Sequence, residues 1–134
     1  MEIIRPPHID TRPDQPYMGI RTITPFRGMT AMTRQLGKEV DQWIMANGVE
    51  TAGPPFVRLH VVDMRGEMDL TCGVPVAAIL SDDGRITSGV LPGGRYASLV
   101  FTGNGVAGNG ALIDWVRALF MVAAVFLVPV FWPF

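Results

Sequence analysis

Short loops rich in glycine and proline constrain this chain most, because each one adjoins an apolar segment typical of a strand. Pro92-Gly93-Gly94 separates the segments 86–91 and 95–102. Gly53-Pro54-Pro55 precedes another apolar segment, and Cys72-Gly73-Val74-Pro75 ends a third. Since glycine and proline interrupt helices and favour turns, this order of loops predicts a protein built mainly from short strands.

Alternating side chains predict the strands themselves. The predicted strands cover 17–24, 56–62, 67–76, 86–91 and 95–102. In the second of these, Val57, Leu59 and Val61 are expected to share one face, with Phe56, Arg58 and His60 on the other. Asp82-Asp83-Gly84 predicts a tight turn, because an Asp-Gly pair tolerates positive φ.

Two helices complete the pattern. The stretch 29–47 carries Leu36, Val40, Trp43 and Ile44 at helical spacing, and we expect it to end at Asn47-Gly48. A second helix is predicted to begin between Gly108 and Ala111. Residues 1–15 are predicted to be an irregular tail, because their prolines fix φ and remove backbone donors.

Length and composition exclude several classes of protein. A chain of 134 residues suits one domain. It has 11 basic and 12 acidic residues with no basic run, which argues against direct contact with nucleic acid. The single cysteine cannot form an internal disulfide, and the N-terminus lacks the apolar run of a signal peptide. We therefore expect a cytoplasmic protein.

The order of strands and loops resembles the GyrI-like small-molecule-binding domain. The resemblance rests on the Pro92-Gly93-Gly94 turn with its flanking strands and on the two upstream loops, and it covers about residues 16–117. The same domain serves as the effector-binding domain of AraC- and MerR-type transcriptional regulators. No helix-turn-helix precedes it here, so a DNA-binding half would be absent or on another chain.

The resemblance implies an α+β fold: an antiparallel sheet with helices on one face, built from two strand–helix–strand–strand units, the second incomplete. Val40-Asp41-Gln42-Trp43-Ile44 and Ile113-Asp114-Trp115-Val116 are a weak internal echo of the two units. The family holds flat, lipophilic, often cationic ligands in a cleft between its units, on the face without helices. It therefore implies a lipophilic small molecule, cations included, as the partner.

Seven residues are candidates for ligand contact: Tyr17, Phe56, Arg58, His60, Glu67, Asp69 and Tyr96. Aromatic faces stack on planar ligands and attract cations, although core packing explains Tyr17, Phe56 and Tyr96 equally well. Glu67 and Asp69 share a strand face and would attract a cation, with a solvated edge strand as the simpler alternative. The remaining two share a strand face with Phe56.

Other reactive groups have structural interpretations. His8 lies in the predicted tail without an evident partner, and no His or Cys cluster predicts a metal site. Cys72 alternates with apolar neighbours, so burial is simpler than a nucleophilic role. The glycine-rich run 103–110 lacks the Lys-Ser/Thr pair of a phosphate-binding loop, which favours a flexible turn. We expect no metal and no cofactor.

After Arg117 the resemblance ends, and the acidic ligand-binding residue common in the family's last strands has no counterpart. Residues 118–134 contain no charged side chain. Three interpretations remain open: a helix and edge strand packed on the sheet, a membrane segment, or a degenerate end. The second is short, because a span needs about 20 apolar residues. Exposure to water would favour self-association or lipid contact.

Three functions follow from the resemblance. The favoured one is a non-enzymatic binding module that senses or sequesters small molecules in transcription regulation, of the multidrug-binding type. The second is a hydrolase of reactive small molecules, in which Glu67 or Asp69 would replace the missing acid. The third is an inhibitor that binds a protein, as DNA gyrase inhibitors do.

Overall fold

A computed structural model of the chain describes residues 1–118. Its elements, in chain order, are β1 Glu2–Arg12, β2 Gln15–Pro25, α1 Met29–Ala46, β3 Phe56–Val61, β4 Glu67–Pro75, β5 Thr87–Leu91, β6 Gly94–Thr102 and α2 Gly105–Ala118. The strands pair antiparallel and the helices pack on strands, so the expected α+β class is confirmed. The predictions for residues 119–134 lie outside the described residues.

Residues 15–91 form one compact unit around a four-stranded sheet in the order β3-β4-β2-β5. Alternate side chains of β2 and β4 point to the same side as α1 and form the core with it. Met18, Val40 and Leu70 in this core have no exposed surface. The sheet is therefore anchored on one side by an apolar layer.

α1 begins at Met29 and ends at Ala46, as the spacing of its apolar residues predicts. Leu36, Val40 and Ile44 lie one turn apart and are buried. After Asn47 the chain leaves the helix through Gly48, whose φ of 59° is left-handed and suits glycine. The predicted helix and its C-terminal stop are confirmed.

Residues 1–14 and the described residues from Pro92 onward form a second unit. In it β1 pairs with β6, and α2 packs on β6, where the Phe101 ring lies against Gly108. α2 starts at Gly105, several residues before the predicted start, because the Asn104 side chain accepts a hydrogen bond from the Ala107 amide at 3.1 Å and caps the helix.

The prediction of an irregular tail at the N-terminus is wrong. Residues 2–12 form β1, which pairs along most of its length with β6. The register shifts between Arg5 and His8, and this interval contains Pro6 and Pro7. Among the described strands β1 pairs only with β6, and prolines are tolerated on such an edge strand and at bulges.

The described strands also lie in two sheets, where the resemblance implied one. Pro92-Gly93-Gly94 does separate two strands, as predicted. However, β5 pairs with β2 and β6 pairs with β1, so this turn connects two sheets and does not close a hairpin. Within residues 1–118, neither helix combines the length and the hydropathy needed to cross a bilayer.

Two glycine substitutions test the packing of the first unit. A Cβ on Gly19 would lie 2.6 Å from the Cys72 carbonyl oxygen, whereas a Cβ on Gly37, within α1, would meet nothing within 4 Å. We expect Gly19→Ala to lower the free energy of unfolding by about 1–3 kcal/mol. Gly37→Ala should raise it by about 0.5–1 kcal/mol.

Urea unfolding followed by circular dichroism measures both variants. Equal stability of Gly19→Ala and the unaltered protein would contradict the close approach of β2 and β4.

Candidate functional site

Six of the seven candidate residues lie on one side of the four-stranded sheet, which we call the face opposite α1. Its residues on β2, β3 and β4 include Tyr17, Gly19, Arg21, Ile23, Phe56, Arg58, His60, Val61, Glu67, Asp69, Thr71 and Gly73. They alternate along each strand with the core residues that meet α1. The period of the strands therefore assembles candidates that are far apart in the sequence.

An aromatic pair occupies one end of this face. The rings of Tyr17 and Phe56 meet edge to face, with centroids 5.1 Å apart and planes at 88°. Gly73 and Gly89 make room for them: a Cβ on Gly73 would lie 2.7 Å from the Phe56 ring, and one on Gly89 would clash with the Tyr17 ring. Tyr17 and Phe56 are only 7% and 5% exposed, so both rings are buried and present little surface to solvent.

Arg58 ties this pair to the neighbouring strands. One guanidinium nitrogen, Nη1, donates to the Tyr17 hydroxyl and to the Val90 carbonyl, both at 3.3 Å. Arg58 is on β3, Tyr17 on β2 and Val90 on β5, so the side chain reaches across the sheet. It places a positive charge at the rim of the aromatic pair.

Arg21 and Asp69 form a two-point ion pair at the other end of the face. Arg21 Nε donates to Asp69 Oδ1 at 2.9 Å, and Nη2 donates to Oδ2 at 2.8 Å. The Asp69 side chain is 19% exposed and that of Arg21 is 59% exposed. The hydrogen bond from Arg21 lowers the pKa of Asp69 despite an opposing effect of burial, so Asp69 is an anion at neutral pH.

His60 lies close enough to both arginines to feel their charges. Its Nε2 is 2.8 Å from the hydroxyl of Thr71, which is 4% exposed. The pKa of His60 is lowered, first by burial and then by the positive charges of Arg21 and Arg58, while Asp69 opposes them. The imidazole is therefore neutral at pH 7.

The accessible part of the face surrounds Asp69. The register places Ile23 on β2 and Val61 on β3 beside Asp69, and they are 62% and 54% exposed. Val61 was expected to share a face with Leu59, but the register shifts between them and carries Val61 opposite Asp69. Glu67 starts β4 and is exposed. Of the two candidate carboxylates, Asp69 is therefore the one that contacts its neighbours on this face.

Tyr96, the seventh candidate, belongs to the other unit. It is 8% exposed on β6, its hydroxyl donates to the Pro92 carbonyl, and the Arg12 guanidinium lies 5.9 Å from its ring centroid. Arg12 also donates to Asp10 at 3.4 Å and to Ser98 at 3.2 Å. The prediction missed this polar cluster, because residues 1–15 were expected to be irregular.

His8 belongs to the same cluster, so the expectation that it lacks a partner is wrong. Its Nδ1 is 3.0 Å from the Pro6 carbonyl oxygen, and its Nε2 is 3.5 Å from Asp10. Burial raises the pKa of Asp10, but Arg12, His8 and Ser98 together outweigh this and lower it. Strand alternation from Pro6 to Arg12 was the signal that could have placed these residues on one face.

The remaining reactive groups are structural where they are described. Cys72 points toward α1, with its Sγ 3.8 Å from the Thr33 carbonyl oxygen, and burial raises the pKa of its thiol to about 11. A thiol this weakly acidic is a poor nucleophile at neutral pH. Among residues 1–118, no three His, Cys, Asp or Glu side chains converge on a position that could hold a metal ion.

Comparison with known proteins shows which proteins are similar to this chain. A family model described as the GyrI-like small molecule binding domain matches residues 5–110. The chain belongs to this family. The match begins inside β1, and no curated protein matches this GyrI-like domain by sequence.

Two solved structures share the fold of this GyrI-like domain. The crystal structure of the EcmrR C-terminal domain superposes with a TM-score of 0.68 at 19% identity, covering 87% of this chain and 77% of that one. A cryo-EM structure of an EcmrR–DNA complex in EcmrR-RPo gives a TM-score of 0.67, also at 19% identity. There the match covers 84% of this chain and 44% of that one.

The Arg21–Asp69 ion pair should account for part of the stability that the protein loses in acid. Because the folded-state pKa of Asp69 is lowered, the ionised carboxylate stabilises the fold above its unfolded pKa of about 3.9. That stability is lost as the pH falls through the folded pKa. We expect Asp69→Asn to reduce the loss of unfolding free energy between about pH 5 and pH 2.5.

Urea titrations across this range test the prediction. Glu67→Gln removes a carboxylate from the same strand without touching the pair, and should keep the acid response of the unaltered protein. An Asp69→Asn variant that loses stability in acid as steeply as Glu67→Gln would show that the ion pair is not formed in solution.

Proposed function

We propose that this GyrI-like domain is a non-enzymatic binding module for a lipophilic small molecule, and that the ligand contacts the face opposite α1. The edge-to-face pair of Tyr17 and Phe56, seated on Gly73, is the observation that carries the proposal. The family's description as a small-molecule-binding domain supports it.

The surface suits a planar, apolar ligand. Burial of apolar area contributes about 25 cal/mol per Å² before the costs of binding, and aromatic contacts add about 0.5–1.5 kcal/mol each. The exposed Ile23 and Val61 supply apolar area at the accessible end of the face, and we propose that the ligand inserts from there beside the buried rings of Tyr17 and Phe56. Arg58 and His60 provide hydrogen-bonding groups between these two regions.

We further propose that binding serves transcription regulation in the cytoplasm, by sensing or sequestering the ligand. The shared fold with a domain of EcmrR, a protein whose structure includes DNA, supports this role. The absence of a basic run in the sequence is consistent with a sensor that leaves DNA contact to other chains.

The resemblance implied ligands that include cations, and Glu67 and Asp69 are the carboxylates that would attract a cation. Glu67 is exposed at the start of β4, where solvent weakens its attraction for a ligand charge. Asp69 is closer to the aromatic pair, but both of its oxygens already accept hydrogen bonds from Arg21. The charge of the ligand therefore depends on whether that pair opens.

Glycine amides give a local readout of binding. Gly19, Gly73 and Gly89 lie beneath the face, whereas Gly37 lies in α1. We expect 1-naphthylmethanol and 9-anthracenylmethanol to shift the first three in nitrogen–proton NMR spectra in a saturable way. Phe56→Leu should weaken binding about three- to tenfold, because it removes an aromatic contact.

Phe26→Leu is the matched control, because Phe26 packs against the core on the side of α1. It should leave the affinity unchanged. If neither probe produces a saturable shift, or if Phe26→Leu weakens binding as much as Phe56→Leu, the proposed site is wrong.

A further inference from the structure

The charge arrangement on the face opposite α1 bears on which ligands can bind there. Asp69 is the carboxylate closest to the packed part of this face, and Arg21 engages both of its oxygens, at 2.9 and 2.8 Å. Two parallel N–H donors on one carboxylate are the strongest geometry that an arginine can offer. A ligand cation therefore meets a carboxylate whose charge is already balanced by a guanidinium.

The charges of Arg21, Arg58 and Asp69 all act on His60. Burial is the largest cause that lowers the pKa of His60. The charges of Arg21 and Arg58 lower this pKa further, and the charge of Asp69, which is the smallest of the four effects, raises it. The electric field of these charges therefore disfavours a proton on His60 even with Asp69 ionised. The same field disfavours any other positive charge brought to that position.

We propose that Arg21 determines the charge class of the ligand: by pairing with Asp69 it excludes cations from the face opposite α1, which accepts uncharged planar lipophilic molecules. This inference rests on the proposed function of the face. Arg21 acts through Asp69 and is a positioning residue for ligand selection. A cation can bind only by displacing the guanidinium or by tolerating two nearby arginines.

Three probes with one aromatic skeleton isolate the effect of charge. They are 1-naphthylmethanol, which is neutral, 1-naphthylmethylammonium, a cation, and 1-naphthylacetate, an anion. We expect the unaltered protein to bind the neutral probe at least about fivefold more tightly than the cation. Arg21→Gln should strengthen binding of the cation about fivefold or more and change binding of the neutral probe by less than twofold.

Matched variants separate this role from general effects. Arg85→Gln removes another arginine ion pair of the same unit, with Glu39 on α1, and should change no probe affinity. The double variant Arg21→Gln/Asp69→Asn should lose the gain in affinity for the cation, because it lacks the carboxylate that Arg21→Gln releases.

Arg21→Lys retains the positive charge and should retain most of the exclusion of the cation. The anion should bind Asp69→Asn more tightly, because Arg21 is then released.

NMR titration of the His60 ring gives a second readout that needs no ligand. Arg21→Gln should raise the pKa of His60, Asp69→Asn should lower it, and Arg85→Gln should leave it unchanged. A purely structural role for Arg21 would not produce these opposite shifts.

The outcomes distinguish the two proposals. If the cation binds the unaltered protein as tightly as the neutral probe, or if Arg85→Gln matches the gain of Arg21→Gln, the charge selection is wrong and the binding function stands. If none of the three probes binds, the proposed function fails, and the selection by Arg21 fails with it.

Discussion

The antiparallel pairing of β2 with β4 is the constraint on which the first unit depends. Gly19 stands opposite Gly73 in this pairing, and neither position has room for a Cβ, because one on Gly19 would meet the Cys72 carbonyl oxygen and one on Gly73 would meet the rings of Phe56 and Tyr17. This register sends Met18 and Leu70 toward α1 and Tyr17 and Asp69 to the other side. Because side chains alternate with a period of two, a slip of one residue would exchange the core with the candidate site.

Different interactions fix the side chains on the two faces of this sheet. On the side of α1, apolar side chains are removed from water, and their burial stabilises the unit without requiring directional contacts. On the opposite side, hydrogen bonds across the strands fix individual groups, as between His60 and Thr71. Such contacts add less to stability than the core, because they replace hydrogen bonds that the same groups make with water in the unfolded chain, but they set where each charge lies. The ligand-selecting properties that we propose depend on that second set.

The sequence predicted the elements of the first unit well, because strand alternation and the helical stripe of Leu36, Val40 and Ile44 are local signals. For the six candidates in this unit, it also predicted which residues of a strand share a face. Their position on one side of the sheet follows once these strands are paired. It did not predict the ion pair of Arg21 with Asp69. Their strands are separated by α1 and β3 along the chain, so only the register of β2 and β4 reveals the contact.

The N-terminal strand shows the opposite limitation. Its prolines are a strong local argument against a strand, and the pairing with β6 that overrides them comes from the far end of the described chain. The single-sheet expectation was wrong for a related reason, since the apolar strands alone do not specify their partners. Hydrogen-bond pairing across long separations is the information that one sequence carries most weakly.

The pairing of Glu2 with Thr102 has a consequence for synthesis on the ribosome. β1 is translated before the other described strands, yet its partner β6 follows residues 15–91, which contain every strand of the four-stranded sheet. The nascent chain can therefore complete the first sheet while its leading segment still has an unpaired backbone. Contacts of such long range close slowly, so we expect β1 to pair with β6 late in folding.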